Sequence, residues 1–449
     1  CQLQDLAVGY GASGSRYEED KRVVVNKNLG PLISTDMTRC IHCTRCVRFG
    51  QEIAGVMELG MIGRGEHAEI ITFVGKTVDS ELSGNVIDLC PVGALTSKPS
   101  RYTARTWELT RRLSVSPHDG LGSNLIVQVK QNRVMRVLPR ENEAINECWL
   151  SDRDRFSYEG LNSEQRLARP MMRRGGEGGN GGAWEAVEWQ TALEFIAAKI
   201  DTIREQHGPA SIGALASPHQ TLEELYLLQK LVRGLGSGNV DFRLRHSDFS
   251  ADGYLQGIPW LGMKIADLNT LDRVLVIGSV LRAEHPLIAH RLRQATKKGL
   301  ELSLLNPVDD DLLMPVAYKA IVSPASMAVT LAQLVKAAAG ARNVTVPESV
   351  RAIVDAAPEN DVAQNLAKGF AAGSASAILL GDLARHHPQA AILHALAQAL
   401  AEVTGARLGV LAEAANSVGG YIAGAVPFGE TTYGTPAADR ARAATSPGR

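Results

Sequence analysis

The chain has 449 residues, 45% of them hydrophobic, and its 47 Lys and Arg stand against 48 Asp and Glu for a net charge of −1. This is enough apolar material for a sizeable core and for about two to four domains, and it excludes a disordered or fibrous chain. There is no basic excess to neutralise a phosphate backbone, so no nucleic-acid partner is expected. No run of 18 or more apolar residues occurs, so any membrane contact is expected to come through a partner.

Cys1 stands where a Met would, and no charged-then-apolar leader follows it, which predicts that the natural start lies upstream. Six cysteines are few for this length. Four of them fall in a ligand-like pattern, which fits a reducing compartment better than a disulfide scaffold. Cys1, in Cys1-Gln2-Leu3-Gln4-Asp5-Leu6, is isolated, and by itself reads as a buried apolar residue or a free thiol.

The strongest signal is Cys40-Ile41-His42-Cys43-Thr44-Arg45-Cys46. After a short strand candidate at Glu69 to Phe73 it is followed by Cys90-Pro91-Val92-Gly93-Ala94-Leu95. Three thiols at spacings of three wrap the backbone around one face of a cubane, direct amide N–H groups toward the sulfurs, and leave one iron corner for a remote ligand. Cys90 supplies that ligand, so the expected group is a [4Fe-4S] cluster on Cys40, Cys43, Cys46 and Cys90. Ile41, Val47, Phe49, Val86, Ile87, Leu89 and Leu95 are expected to keep water away from it. Structural zinc also accepts four cysteines, but usually as two paired C-x2-C knuckles. A disulfide would have to choose among crowded neighbours in one loop. His42 lies between two ligands and is expected beside the cluster or facing solvent, not as a ligand.

Further on, Leu125 to Val129 and Val134 to Leu138 are β-rich runs around Gln131-Asn132, which predicts a hairpin. Cys148 has no cysteine neighbour and is expected to pack in the core. The glycine-rich run from Arg173 to Gly182 has too little apolar surface to order itself and is expected to be a loop or linker, with a new domain after it. From Trp184 onward, strand-length apolar runs (Ser211 to Ala216, Arg273 to Gly278, Leu300 to Leu305, Ile378 to Gly381, Leu408 to Leu411) alternate with helical stretches (Thr191 to Arg204, Leu222 to Gly234, Leu287 to Lys298, Gln389 to Val403). Such alternation predicts a parallel sheet covered on both faces. Gly234-Leu235-Gly236-Ser237-Gly238-Asn239 follows a helix and lacks the dinucleotide fingerprint, so it is read as a helix stop. The expected organisation is an α+β and α/β multidomain chain. It comprises a cysteine-bearing region over residues 1–105, a small β-rich domain over 106–172, a linker over 173–183, an α/β domain over 184–429 and an irregular tail over 430–449.

The cysteine motifs, with Cys46 continuing into Val47-Arg48-Phe49 and Cys90 set in Asp88-Leu89-Cys90-Pro91-Val92-Gly93-Ala94-Leu95-Thr96, resemble the large iron-sulfur subunit of respiratory complex I, NADH:quinone oxidoreductase. The resemblance covers about the first 105 residues and implies a ferredoxin-like region. In that family a [2Fe-2S] domain comes first, then a [4Fe-4S] cluster with one His and three Cys ligands, then an all-Cys [4Fe-4S] cluster. By this resemblance Cys1 is the last cysteine of the His-plus-three-Cys site, which it alone represents here, and the [2Fe-2S] group belongs to a segment upstream. The resemblance also implies single-electron relay from a flavoprotein subunit toward quinone, with neither NADH nor quinone bound by this chain. The partners implied are the other peripheral-arm subunits. The location implied is the cytoplasmic face of a bacterial inner membrane, or the matrix side in a mitochondrion.

The remainder resembles the molybdopterin-oxidoreductase fold that this family shares with formate dehydrogenases. The likeness is carried by Trp107-Glu108-Leu109, the hairpin, Arg166-Leu167-Ala168-Arg169-Pro170, and Val274 to Ser279 followed by Glu284-His285-Pro286. Gly278, Ser279 and Asn306-Pro307 fall where molybdenum enzymes touch their pterin dinucleotide, at the ends of strands. The departures are that Ser114-Val115-Ser116-Pro117-His118 has no cysteine, that only Cys148 follows Cys90, and that Asp309-Asp310-Asp311 would repel a diphosphate. No molybdenum is therefore expected, and the α/β domain is expected to act as a scaffold. The competing readings are a molybdenum-dependent oxidoreductase such as a formate dehydrogenase alpha subunit, and an iron-only hydrogenase, which would need more cysteines after Cys90.

Overall fold

The computed structural model describes residues 2–12, 14–174, 182–252, 257–371 and 373–427. Cys1, most of the glycine-rich linker and the expected tail lie outside the described residues. The described residues pack into two compact units, one drawn from within 1–158, 247–249 and 259–413, the other from within 159–246, 250–258 and 414–427.

The first unit begins with α1 (Gln2–Tyr10), β1 (Ile33–Thr35), α2 (Arg45–Phe49), β2 (Leu59–Ile62), β3 (Glu69–Thr72), α3 (Asn85–Leu89) and β4 (Leu95–Ser97). β2 and β3 form an antiparallel pair, as do β1 and β4, with Ile33 opposite Ser97 and Thr35 opposite Leu95. The second pairing matters for the cysteines. β1 ends just before Cys40 and β4 starts just after Cys90, so joining the strands draws both cysteine segments to one place.

β5 (Thr110–Val115), β6 (Asn124–Lys130) and β7 (Arg133–Pro139) follow as an antiparallel meander, closed by α4 (Asp152–Phe156). The expected hairpin is β6 and β7. Gln131 and Asn132 both take positive φ, 49° and 59°, as a two-residue turn between right-twisted strands requires. β5 was not expected, and every one of its residues is exposed, so it lacks the buried alternation that marks a strand in sequence.

The second unit contains the antiparallel pair β8 (Met171–Arg174) and β9 (Ala183–Ala186), then α5 (Trp189–His207), β10 (Ala214–Leu215), α6 (Leu222–Gly234) and β11 (Val240–Asp241). The flanks of the expected linker are thus strands that pair with each other. α6 starts with a capping box, in which Thr221 Oγ1 accepts from Glu224 N at 3.2 Å and Thr221 N donates to Glu224 Oε2 at 2.9 Å. The strand expected over Ser211 to Ala216 shrinks to two residues pairing only with β11, because Pro209–Ser211 form a 3-10 turn. Phe242 and Tyr421 meet edge to face at 5.2 Å in this unit's small core.

The first unit resumes with β12 (Arg273–Ile277), α7 (Leu281–Glu284), α8 (Pro286–Thr296), β13 (Glu301–Asn306), β14 (Tyr318–Ile321), α9 (Met327–Arg342), α10 (Glu348–Ala356), α11 (Asp361–Ala371), β15 (Ser376–Leu380), α12 (Asp382–Arg385), α13 (Ala390–Thr404) and β16 (Arg407–Val410). The strands form one parallel sheet in the order β14-β13-β12-β15-β16. Alternate side chains enter two cores. Val274, Val276, Leu302, Leu304, Ala377 and Leu379 pack on one side with Leu292 of α8, whereas Leu275, Ile277, Leu305, Ile378 and Leu380 pack on the other with Leu331 of α9 and Leu396 of α13. Burial on both faces is why these strands read as unbroken apolar runs. A short α14 (Gly419–Ile422) returns to the second unit. Among the described residues no helix is long and apolar enough to cross a membrane.

Candidate metal centre

The geometry around the cysteines grows out of the β1–β4 pairing. Asp36 N donates to Ala94 O at 2.8 Å, and a 3-10 turn over Met37–Arg39 delivers Cys40, whose amide bonds Met37 O at 3.0 Å. His42 and Thr44 then take φ of 55° and 58°. Non-glycine residues adopt this left-handed region uncommonly, and here they turn the chain back twice within five residues. The folded loop brings His42 N to 3.4 Å from Cys40 Sγ as a donor. Cys46 lies in the first turn of α2, whose Val47 and Phe49 are buried. From the other side, α3 ends at Cys90, which bonds Val86 O at 3.0 Å; Pro91 cannot extend the helix, and Gly93 turns the chain into β4 with φ of 68°.

Cys40, Cys43, Cys46 and Cys90 line one recess of about 390 Å³, counted to its open mouth, together with Met37, Ile41, Ile70, Pro91 and Leu95. Burial pushes the Cys40 thiol up, the His42 amide opposes this, and Cys90 and Cys43 add to it. Cys46 is pushed up to about 11 by burial, against the Val47 amide, with Cys40, Cys90 and Cys43 again raising it. Cys40 and Cys46, each raised in this way, need a cationic centre nearby to become thiolates.

Soft sulfur donors select zinc, copper(I) or an iron-sulfur cluster. Among the described residues, the groups of three or more ligand atoms that lie mutually within 4.8 Å do not include these thiols. Zinc with bonds of about 2.3 Å would hold its sulfurs roughly 3.8 Å apart, so the recess is wider than one tetrahedral ion fills, and a multi-iron group fits the donor set better.

The expected apolar shelter is one-sided. Val47, Phe49, Val86 and Leu95 are buried, but Ile41 is 58% exposed and Cys43 is exposed too. The turn at His42 that frees its amide for Cys40 leaves Ile41 pointing outward. His42 itself is half-buried, and its contribution to the recess is that amide. Contrary to the expectation from its isolation, Cys148 does not pack in the core but is exposed. Glu147 takes φ of 52°, and the residues turned inward are Trp149, 5.3 Å from the Phe49 ring, and Leu150.

At the strand ends of the parallel sheet, Gly278 and Ser279 form a close packing joint. A Cβ on Gly278 would stand 2.5 Å from Ala384 N, and one on Gly381 would stand 2.3 Å from Ser279 Cβ. Ser279 Oγ and Val280 N both donate to Glu284 Oε2, at 2.6 and 3.1 Å. Asp309 is paired with Lys319 at 2.8 Å, and Asp311 Oδ1 accepts from Leu313 N.

Sequence reasoning missed the groups that position Cys90. Asn85 is buried in α3, and Arg155 reaches Asp88 at 2.5 Å. A buried Asn inside a short helix next to a ligand is the available signal, and it is a weak one.

Three family models match the chain: the ferredoxin-like domain of NADH-quinone oxidoreductase subunit 3 over residues 30–96, the NADH-ubiquinone oxidoreductase NDSU1/NuoG-like 4Fe-4S domain over 109–159, and molybdopterin oxidoreductase over 166–439. The last covers more than half of the sequence, and the chain belongs to the molybdopterin oxidoreductase family. Several similar proteins are subunits of NADH-quinone or NADH-ubiquinone oxidoreductases. An NADH-quinone oxidoreductase subunit of Rickettsia felis is 44% identical over 299 residues, 67% of this chain and 43% of that protein. The NADH-ubiquinone oxidoreductase 75 kDa subunit of Reclinomonas americana is 41% identical over 67% of this chain and 43% of its own length. NADH dehydrogenase [ubiquinone] iron-sulfur protein 1, mitochondrial, of Solanum tuberosum is 43% identical over 66% of this chain and 39% of its own. The matched region spans less than half the length of these relatives. The first of the family models contains all four clustered cysteines; the second covers a segment whose one cysteine is Cys148.

Proposed function

We propose that this chain is an electron-transfer part of an NADH:quinone oxidoreductase, holding a [4Fe-4S] cluster on Cys40, Cys43, Cys46 and Cys90. The observation that carries the reading is the convergence of the four thiols in one recess, wider than a zinc site and served by the His42 amide. A cluster there supplies one-electron transfer, with a potential set by sulfur hydrogen bonds and solvent exposure. The chain's own residues do the rest: β1 and β4 hold the two cysteine segments together, backbone amides of His42 and Val47 donate to sulfur, and Val47, Phe49, Val86 and Leu95 exclude water on one side.

Cys1 contributes to a second [4Fe-4S] site when the segment upstream is present, and a [2Fe-2S] group belongs to that segment. The parallel-sheet domain works without molybdenum, because Glu284 already takes the donors that a pterin diphosphate would need at Ser279 and Val280. NADH and quinone bind on other chains, the flavoprotein and quinone-site subunits, and the membrane is reached only through them, at the cytoplasmic face in a bacterium or the matrix face in a mitochondrion. The test is co-purification with those subunits followed by EPR. NADH is expected to reduce the cluster in the assembly and to leave the isolated chain oxidised. Reduction of the isolated chain by NADH, or failure to associate with either subunit, would contradict the reading.

A further inference from the structure

A second group of ligand-type side chains lies away from the cysteines, at the carboxyl edge of the parallel sheet. The strand order β14-β13-β12-β15-β16 runs outward in both directions from between β12 and β15, so the loops after these strands diverge and leave a crevice where ligands bind in such sheets. Three successive strand ends contribute to it. Glu284 and His285 close the short α7 after β12, Asp382 opens α12 after β15 and His386 follows it, and Glu413 comes just after β16.

Their ligand atoms converge. One atom each from Glu284, His285 and Asp382 lie mutually within 4.8 Å, and the same holds for Asp382, His386 and Glu413, so Asp382 belongs to both triads. His285 is an independent pointer. It is 1% exposed, and neither Nδ1 nor Nε2 has a hydrogen-bond partner. Buried polar atoms are nearly always satisfied, and one that is not calls for an explanation such as an ion. An imidazole with two carboxylates, as each triad offers, is a donor set for zinc and similar borderline divalent metals; magnesium or calcium would be served by oxygen alone.

We propose that this crevice is a divalent-metal site of the zinc class, with Glu284, His285 and Asp382 as its ligands and His386 and Glu413, which share Asp382 in the second triad, beside them. Two cations stand beside it, Arg385, whose Nη1 lies 3.6 Å from Asp382 Oδ1, and Arg153, whose Nη2 donates to Glu284 O at 3.0 Å; the metal takes over as the counter-charge of Asp382. The site shares no residue with the cysteine recess and stands whether or not the electron-transfer reading does.

The test uses protein whose cysteine site has already been filled with iron and sulfide, so that zinc cannot collect on the thiols. After equilibration with zinc and passage into metal-free buffer, zinc is counted by mass spectrometry and its ligands are read by zinc-edge X-ray absorption. The expected result is about one zinc per chain with nitrogen and oxygen neighbours and no sulfur. His285→Gln and Asp382→Asn are each expected to reduce retention about tenfold or more with iron content unchanged. A wild-type protein that retains no zinc, zinc with sulfur neighbours, or undiminished zinc in both variants overturns the proposal. The wild-type spectrum decides even if His285→Gln fails to fold.

Discussion

Asn85 and Leu150 are joined by two hydrogen bonds in which a side chain imitates a strand partner. Asn85 Nδ2 donates to Leu150 O at 2.7 Å, and Leu150 N donates to Asn85 Oδ1 at 3.0 Å. Asn85 begins the helix that ends at Cys90, so this pair fixes the remote thiol against the β-rich segment. The Asn85→Ala variant leaves two buried backbone groups unpaired and is expected to cost about 2–4 kcal/mol. The readouts are a lower melting temperature and faster loss of iron to a chelator, with the four cysteines intact. Unchanged iron loss would separate Cys90 placement from this contact.

Asp119 offers a pH test. It is buried, and desolvation, followed by the nearby Asp154 carboxylate, pushes it up to about 7 against the opposing pull of Arg153. The folded state therefore holds a proton that the unfolded chain, with a pKa of about 3.9, has released. Stability from this group is full below about pH 4 and is lost as pH rises toward 7. In Asp119→Asn the amide oxygen can still accept from Leu121 N, which Asp119 Oδ1 does now at 3.1 Å. The variant is expected to flatten the decline in unfolding free energy between about pH 4 and 7, by a few kcal/mol at most. Parallel pH profiles for variant and wild type would refute this.

Much of the fold was legible wherever burial imposed a period. Four of the five sheet strands, α6 and the β6–β7 hairpin all carry local patterns that match their final environment. What was not legible depended on long-range packing. β14 is a short edge strand with three of its four residues exposed, β5 is exposed throughout, and the run at Ser211 was mistaken for a sheet strand because an apolar stretch does not say what it will pair with. The four-cysteine motif was readable because its spacing is a local backbone property. The outward turn of Ile41 and Cys148 was not, since each depends on one residue with positive φ, His42 or Glu147, that composition does not mark. The triads around Asp382 were invisible for another reason: their members come from three separate strand ends.

Cys148 gives a labelling test of that outward turn. It is exposed, although partial burial of its sulfur, then Glu147 and Glu143, push the thiol up. Alkylation of cluster-loaded protein is expected to modify Cys148 first, slowly near neutrality and faster as pH rises and the thiolate forms. Peptide mapping that finds Cys43 modified before Cys148 would show that no cluster protects the recess.

The strand-end joint at Ser279 predicts a protein without pterin. Glu284 Oε2 occupies the donors of Ser279 and Val280, and the glycines there are filled by Ala384 and Ser279. Purified chain is expected to contain no molybdenum or tungsten and to release no fluorescent pterin on oxidative denaturation. Either cofactor near one equivalent would instead favour the formate-dehydrogenase reading.

The central claim, a single [4Fe-4S] cluster on Cys40, Cys43, Cys46 and Cys90, is tested most directly by counting iron and sulfide after anaerobic reconstitution and recording EPR of the reduced protein. The expected result is about four irons and four sulfides per chain with a one-electron signal, all lost in Cys90→Ala. A full signal retained in Cys90→Ala, or about eight irons per chain, which would give Cys1 a cluster of its own, would contradict the account.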